Sequence, residues 1–139
     1  MRQIPGYSLW IGNAADARDV PRLLGDGIEA VVALALEEPP ATRELVYCRF
    51  PLLDGAGNSP WLLRMAIDTV VTLLTGRTPT LVCCGAGMSR SPAVAAVAIH
   101  RLTRRPPEEC LRTLAELGPL DVSPGFWQEL LAVEVARPN

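Results

Sequence analysis

The chain has 139 residues, of which 49% are hydrophobic, 20% charged and 5% aromatic, and its formal net charge is −2. This composition excludes a disordered or collagen-like chain, and the length suffices for one hydrophobic core but not for two. The balanced charge argues against a general nucleic-acid binder, and the lack of a long apolar run argues against a membrane helix. We therefore expect one cytoplasmic domain.

All thirteen basic residues are arginine, which excludes a lysine Schiff base and the lysine of a nucleotide-binding P-loop. The four cysteines, Cys48, Cys83, Cys84 and Cys110, have no Cys-x-x-Cys spacing, which argues against a zinc site or a dithiol redox motif. A chain that builds its own core does not need a disulfide framework. We expect reduced thiols, no metal and no organic cofactor.

Glycine and proline divide the chain into strand and helix segments. The first part predicts a strand over residues 7–11, a helix over 14–24 capped by Asn13, a buried strand over 28–36 ended by residues 37–40, and a strand over 44–50. The second part predicts a loop over 51–60, a helix over 61–75 ended at Gly76, a strand over 79–83, and helices over 91–103, over 108–117 and from Ser123–Pro124 onward. This alternation predicts an α/β fold with a central, mostly parallel sheet flanked by helices.

The chemistry-bearing segment is a glycine-rich loop, residues 84–90, which joins a buried strand directly to a helix. Backbone N–H groups in such a turn, together with the partial positive charge of a helix N-terminus, favour a tetrahedral oxyanion. A dinucleotide fingerprint is excluded because Arg90 stands where that motif needs a small residue. There remain Cys84 and Arg90, whose spacing brings a thiolate and a bidentate guanidinium to one anion cradle.

With Ser91, this loop resembles the signature of the cysteine-dependent protein phosphatases, Cys-x5-Arg followed by Ser or Thr. Residues 86–91 are most similar to the dual-specificity branch. Residues 7–13 resemble the first strand and turn of that branch, and residues 122–128 resemble the start of its closing helix. The resemblance covers nearly the whole chain and implies a single phosphatase-like catalytic domain over residues 1–139.

The resemblance implies a two-step mechanism in which Cys84 attacks phosphorus and the resulting cysteinyl-phosphate is hydrolysed. In the family, an Asp about thirty residues before the cysteine protonates the leaving oxygen, and Asp54 has this spacing, with neighbouring glycines that would let its loop move. Ser91 would stabilise the leaving thiolate in the second step. The residues expected to bind the phosphate are Gly85, Ala86, Gly87, Met88, Ser89 and Arg90.

The sequence departs from the family at Cys83, where a histidine usually precedes the nucleophile, and this leaves the degree of Cys84 activation open. One alternative is that Cys83, or Cys48 from a neighbouring strand, reacts with an oxidised Cys84 and protects it. Adjacent residues of a strand point to opposite faces, however, so a Cys83–Cys84 bond would be strained.

The other conspicuous residues have structural expectations. His100 lies ten residues beyond Arg90 on the same predicted helix, about 15 Å away, so a Cys–His pair is not expected. We expect Cys48 and Cys110 to be buried filler, Arg101, Arg104 and Arg105 to form a solvated cluster at a helix C-terminus, and Trp61, Phe126 and Trp127 to anchor the core. Asn58 and Met88 are candidates for the mouth of the pocket.

The expected function is hydrolysis of phosphomonoesters by a monomer, with phosphotyrosine in proteins as the favoured substrate and phosphoserine and phosphothreonine as further candidates. The scarcity of basic residues in the loop argues against a lipid substrate, and the acidic net charge argues against a nucleic acid. Two alternatives stay open: a module that binds phosphorylated partners without turnover, and a sulfur-transfer or arsenate-reducing enzyme. Asp54 and Ser91 argue against sulfur transfer and against arsenate reduction.

Overall fold

The computed structural model describes residues 1–36 and 42–138. The strands are β1 (Arg2–Gln3), β2 (Leu9–Asn13), β3 (Ala30–Ala33), β4 (Val46–Arg49) and β5 (Thr80–Cys84). The helices are α1 (Ala14–Arg18), α2 (Val20–Gly25), α3 (Pro60–Thr75), α4 (Arg90–Thr103), α5 (Pro107–Ala115) and α6 (Pro124–Val135). None of the helices in these ranges is both long and apolar enough to cross a bilayer.

The strands form one mixed sheet in the order β1-β2-β5-β3-β4. Strand β1 is antiparallel to β2, and all other neighbours are parallel. The predicted α/β fold with a mostly parallel sheet is therefore confirmed. Strand β5 lies in the middle, and each of its five residues is buried, so its carboxyl end opens at the centre of the sheet edge where α/β proteins bind ligands.

Helices cover both faces of the sheet, and the strand side chains alternate between them. Val82 and Cys84 of β5 face the larger core under α3, α4, α5 and α6, whereas Leu81 and Cys83 face the smaller core under α1 and α2. This period of two explains how one strand serves two cores.

Helix α4 is surrounded by protein along most of its length. All nine residues from 91 to 99 are buried, and four of them are alanine. Small side chains allow the neighbouring helices and the sheet to approach closely on every side. The end of α4 that begins at Arg90 is thereby fixed firmly against the end of β5.

The predicted helix over residues 14–24 is wrong in one respect, because the structure has two helices there. Pro21 lacks the N–H that would bond to Ala17, and its ring would meet the carbonyl group of that residue. Asp19 separates the two helices and caps the second by accepting a hydrogen bond from the Arg22 amide. Asn13 caps α1 as predicted, in a reciprocal arrangement with Asp16.

The other predicted elements are found, with shifted ends. The strand predicted over 28–36 is limited to β3, the strand over 44–50 to β4, and the predicted break at residues 37–40 lies outside the described residues. Strand β1 was not predicted, because two residues show no hydrophobic period. Helix α3 ends at Gly76 as predicted, yet Gly76 stays helical and Arg77 takes the left-handed conformation with φ 55°.

The prediction that Trp61 anchors the core is wrong, since its side chain is 64% exposed. The buried face of α3 begins at Leu63, and a displacement of two residues turns Trp61 about 200° around the helix. Phe126 is fully buried as predicted, and Trp127 is half-buried and packs against the same core.

Candidate active site

Cys84 is the last residue of the central strand β5, and its side chain is 2% exposed. Its Sγ lies 3.2 Å from the Ser91 Oγ, and the Ser91 backbone N–H donates to the same sulfur at 3.4 Å. The backbone N–H and the hydroxyl of Ser91, in the first turn of α4, thus both lie within hydrogen-bond distance of the sulfur, where donors stabilise a thiolate. This is the contact that the family resemblance implies for Ser91.

The glycine-rich loop, residues 84–90, packs against the end of β2. Gly87 has φ +74°, and a Cβ there would stand 2.8 Å from the carbonyl carbon of Gly12, so only glycine fits. The Ala14 amide donates to the carbonyl oxygen of Gly85 at 3.3 Å. The loop is therefore held against the junction of β2 and α1.

Arg90, the first residue of α4, directs its guanidinium into the loop. Nη1 donates to the Leu52 carbonyl oxygen at 2.8 Å, and a Cβ at Gly85 would be 3.2 Å from Nη2. The Nε atom is buried and has no hydrogen-bond partner among the described residues. A buried, unpaired donor on a charged group is energetically costly, which makes this nitrogen a natural partner for an anion.

Asp54 reaches the glycine-rich loop from the segment before α3. Its Oδ1 accepts a hydrogen bond of 2.6 Å from the Ser89 hydroxyl, and that hydroxyl oxygen accepts one of 3.0 Å from the Ser123 backbone N–H. Ser89 stands at the N-cap position of α4 without capping it, because its hydroxyl is used for Asp54. The sequence gives no sign of this role for Ser89.

These groups surround one cavity of about 140 Å³. Its lining residues are Asp54, Cys84, Ala86, Met88, Ser89, Arg90 and Asp121. Six of the seven are predicted site residues, counting Met88 at the mouth. Gly85 and Gly87 shape the loop backbone without lining the cavity, and Ser91 lies behind the sulfur.

Asp121 is the lining residue that the sequence analysis missed. It lies in the segment before α6, and its backbone N–H donates to the Met88 carbonyl oxygen at 2.9 Å. This bond holds an exposed carboxylate beside the cavity. No local pattern could have indicated it, because Asp121 and Met88 meet only through the tertiary fold.

Asn58 does not line this cavity. It borders a separate, mostly apolar cavity of about 250 Å³ between α3 and α6, together with Glu129 and Arg64. Its side chain also bonds to the backbone of the loop that carries Asp54. The prediction of Asn58 at the pocket mouth is therefore wrong, although the residue is close to the site.

The other cysteines do not approach Cys84 in a way that favours a disulfide. Cys83 faces the opposite side of the sheet, as predicted. Cys48 lies on β4, with β3 between it and β5, and two strand spacings of about 10 Å exceed the reach of a disulfide. Strand β4 is therefore not the neighbour of β5 that the sequence analysis expected. Cys110 is buried as predicted, whereas Cys48 is only partly buried, and the degree of burial that each has raises the pKa of its thiol.

The far end of α4 is occupied by ion pairs. Arg101, 10% exposed, bonds to both Asp68 of α3 and Glu134 of α6, so the prediction of a solvated cluster is wrong for Arg101. Hydrogen bonds to these two carboxylates raise the pKa of Arg101 in spite of its burial. His100 bonds to the Arg105 carbonyl oxygen at 2.7 Å, in line with its expected structural role.

Across residues 1–36 and 42–138, no three His, Cys, Asp or Glu side chains lie together in a way that could hold a metal ion.

No protein-family model matches the chain, and no curated protein matches it. Among solved structures, human DUSP28 has 23% identity and a TM-score of 0.82, with 94% of each chain covered. The chain has the dual-specificity phosphatase fold.

Two further structures share this dual-specificity phosphatase fold. A mouse putative dual specificity phosphatase, solved with zinc tungstate, has 25% identity and a TM-score of 0.81, covering 92% of this chain and 82% of its own. A human tyrosine phosphatase-like serine/threonine/tyrosine-interacting protein has 21% identity and a TM-score of 0.83, covering 97% of this chain and 95% of its own. The fold expected from the resemblance is confirmed over nearly the whole chain.

Proposed function

We propose that this protein is a cysteine-dependent hydrolase of phosphomonoesters, acting on phosphotyrosine in proteins and also on phosphoserine and phosphothreonine. The observation that carries the proposal is the buried Arg90 Nε, a charged donor without a partner among the described residues, in one cavity with the Cys84 thiol. A phosphate group in this cavity would supply the missing acceptor. The fold shared with dual-specificity phosphatases supports the same reading.

In the first step, the Cys84 thiolate attacks phosphorus, an S–P bond forms, and the bond from phosphorus to the leaving oxygen breaks. Asp54 gives its proton to that oxygen. Because Ser89 donates to Oδ1 of Asp54, we assign the transferred proton to Oδ2. Arg90 and the loop amides stabilise the equatorial oxygens, where charge is greatest in the transition state.

In the second step, Asp54 takes a proton from water, the water oxygen attacks phosphorus, and the S–P bond breaks. The electron pair returns to Cys84 as a thiolate. Ser91 is positioned to stabilise that thiolate, since its hydroxyl and its backbone N–H both lie within hydrogen-bond distance of Sγ. The products are inorganic phosphate and the free enzyme.

The anion-binding part of the proposal has independent support. Tungstate is a tetrahedral oxyanion of the same charge type as phosphate, and the similar mouse protein was solved with zinc tungstate. In this chain the candidate site combines a helix N-terminus, a glycine-rich loop and a guanidinium, which is the usual chemistry of oxyanion recognition.

The decisive experiment measures hydrolysis of p-nitrophenyl phosphate and of a phosphotyrosine peptide between about pH 5 and 8, for wild type, Cys84→Ser and Asp54→Asn. We expect Cys84→Ser to be inactive, and Asp54→Asn to lose about 10²-fold on the peptide and less on p-nitrophenyl phosphate, whose leaving group needs no proton. A wild type that binds vanadate but turns over neither substrate would be a recognition module instead.

A further inference from the structure

The loop that carries Asp54, residues 53–58, is closed on itself by one side chain. The Asn58 carboxamide oxygen accepts from the Leu53 backbone N–H at 2.8 Å, and its Nδ2 donates to the carbonyl oxygens of Leu53 and Gly55, each at 3.0 Å. Two glycines in six residues would otherwise leave this backbone with wide conformational freedom. Asn58 removes that freedom around Asp54.

The closed loop is fastened to helix α6 by Glu129. Its Oε2 accepts from the Gly57 backbone N–H at 2.8 Å, and its Oε1 accepts from the Asn58 backbone N–H at 3.1 Å and from the Asn58 Nδ2 at 3.3 Å. Hydrogen bonds to an ionised acceptor are stronger than neutral ones. Accordingly, the Gly57 amide, followed by the donors of Asn58, holds the pKa of Glu129 below its ordinary value.

The first turn of α6 reaches the same loop at a second point. The Ser123 amide donates to the hydroxyl oxygen of Ser89, which itself donates to Asp54. A Cβ on Gly125 would stand 3.1 Å from the Ala56 nitrogen, so the helix start packs closely against the loop backbone. Helix α6 therefore contacts the Asp54 loop on its backbone side and, through Ser89, on its carboxylate side.

We propose that Glu129 is a positioning residue for Asp54: through Gly57 and Asn58 it fixes the loop so that the Asp54 carboxyl group faces the leaving oxygen. The inference rests on the proposed function, because it assigns a purpose to the position of Asp54. Small displacements of a proton donor are costly to catalysis, by up to about 10²-fold for 1 Å. Glu129 does not line the cavity around Cys84 and borders only the separate cavity between α3 and α6.

The test compares Glu129→Ala with Gln128→Ala, a neighbouring exposed position on the same helix. Both are assayed on phenyl phosphate, a poor leaving group, and on p-nitrophenyl phosphate, a good one. We expect Glu129→Ala to lose about tenfold in kcat on phenyl phosphate and less than about threefold on p-nitrophenyl phosphate. Gln128→Ala should leave both rates unchanged, and Glu129→Gln, which keeps one acceptor oxygen, should fall between.

The same substitution made in an Asp54→Asn variant distinguishes a loss of Asp54 positioning from a general loosening of the fold. In Asp54→Asn, the further change Glu129→Ala should lower the phenyl phosphate rate by less than about twofold, because residues that act through one group are not additive. Equal losses on the two substrates, or a full tenfold loss in the Asp54→Asn background, would overturn the proposal.

A readout without turnover keeps this inference distinct from the proposed function. Amide hydrogen exchange in residues 53–58 should be at least about tenfold faster in Glu129→Ala than in wild type, while exchange in α4 stays the same. Unchanged exchange in this loop would contradict the role of Glu129 even in a protein that hydrolyses no phosphomonoester. An inactive wild type with the expected exchange difference would instead contradict only the proposed function.

Discussion

Helix α4 has an arginine near each end, and the two differ in what surrounds them. Arg101 at the far end bonds to two carboxylates, one from α3 and one from α6. Arg90 at the first position bonds to one carbonyl oxygen and keeps a buried Nε without a partner in the described part of the chain. Within residues 1–36 and 42–138, no carboxylate forms an ion pair with Arg90.

The difference separates a structural cation from one suited to a ligand. A buried guanidinium whose charge is already neutralised contributes to the attachment of neighbouring helices, and a second anion would gain little there. A guanidinium held in place by a neutral carbonyl group keeps its charge available for a doubly charged phosphate. Substitutions at the two ends should therefore affect different measurements.

The largest expected effect is on activity, at the Arg90 end. Arg90→Lys should lower kcat/KM for p-nitrophenyl phosphate by about 10³-fold, or about 4 kcal/mol, because an ammonium cannot donate two parallel bonds to the phosphate oxygens. The melting temperature should change little, since only the bond to Leu52 is lost. A variant that keeps a tenth of the wild-type activity would place Arg90 outside phosphate recognition.

The next effect is on stability, at the Arg101 end. Arg101→Leu should lower the free energy of unfolding by about 3 kcal/mol in urea, because it leaves Glu134, which is 6% exposed, without its main partner. Arg137 also contacts Glu134 and keeps the loss at the lower end of the range for broken buried pairs. Activity per folded molecule should equal that of wild type, and a specific loss of kcat would remove the contrast between the two ends.

A smaller effect is expected at Ser91, on the second step of the proposed reaction. Ser91→Ala should slow breakdown of the cysteinyl-phosphate by about tenfold, since the leaving thiolate loses its hydroxyl donor. Rapid mixing with p-nitrophenyl phosphate should then show a burst of nitrophenol followed by a slow steady state. Ser91→Thr keeps the hydroxyl and serves as the control, and a burst of equal size in both variants would contradict the role of the hydroxyl.

The smallest expected effect is on the pH dependence of stability, at Glu129 of α6. Its pKa is lowered in the folded protein from the ordinary 4.5, so its contribution to stability is present above about pH 4.5 and is lost as the pH falls through the lowered folded value. The charged group that shares its cavity is Arg64 of α3. Wild type should exceed Glu129→Gln in unfolding free energy by under about 1 kcal/mol at pH 6, because a half-buried carboxylate is screened by solvent. The difference in unfolding free energy between wild type and Glu129→Gln should shrink as the pH falls below about 4.5, and a difference that stays constant from pH 6 to pH 3 would contradict the assignment.

The sequence allowed the fold and the centre of the site to be predicted because both depend on local signals. The alternation of apolar strands and helices indicated the sheet, and one loop of seven residues contains both Cys84 and Arg90. Ser91 follows directly, so its contact with the sulfur depends only on the turn into α4. Asp54, thirty residues earlier, was identified only through the spacing in the resembled family.

The unpredicted parts of the site depend on contacts between distant segments. Asp121, Ser123 and Glu129 lie more than thirty residues beyond the loop glycines, and they meet the site only after α6 packs beside the Asp54 loop. The ion pairs of Arg101 are of the same kind, since both partners lie thirty-three residues away. Trp61 was misjudged because the position of the buried face of α3 depends on the neighbours of that helix.

The burial of α4 has a consequence for how this chain tolerates sequence change. A methylene group added in a fully packed position costs about 1–3 kcal/mol, and Ala93, Ala95, Ala96 and Ala98 are all fully buried. In a randomised library, these positions should accept almost nothing larger than alanine, whereas exposed positions such as Trp61 should vary freely. The backbone that presents Arg90 is thus protected by a stretch of residues that take no part in the chemistry themselves.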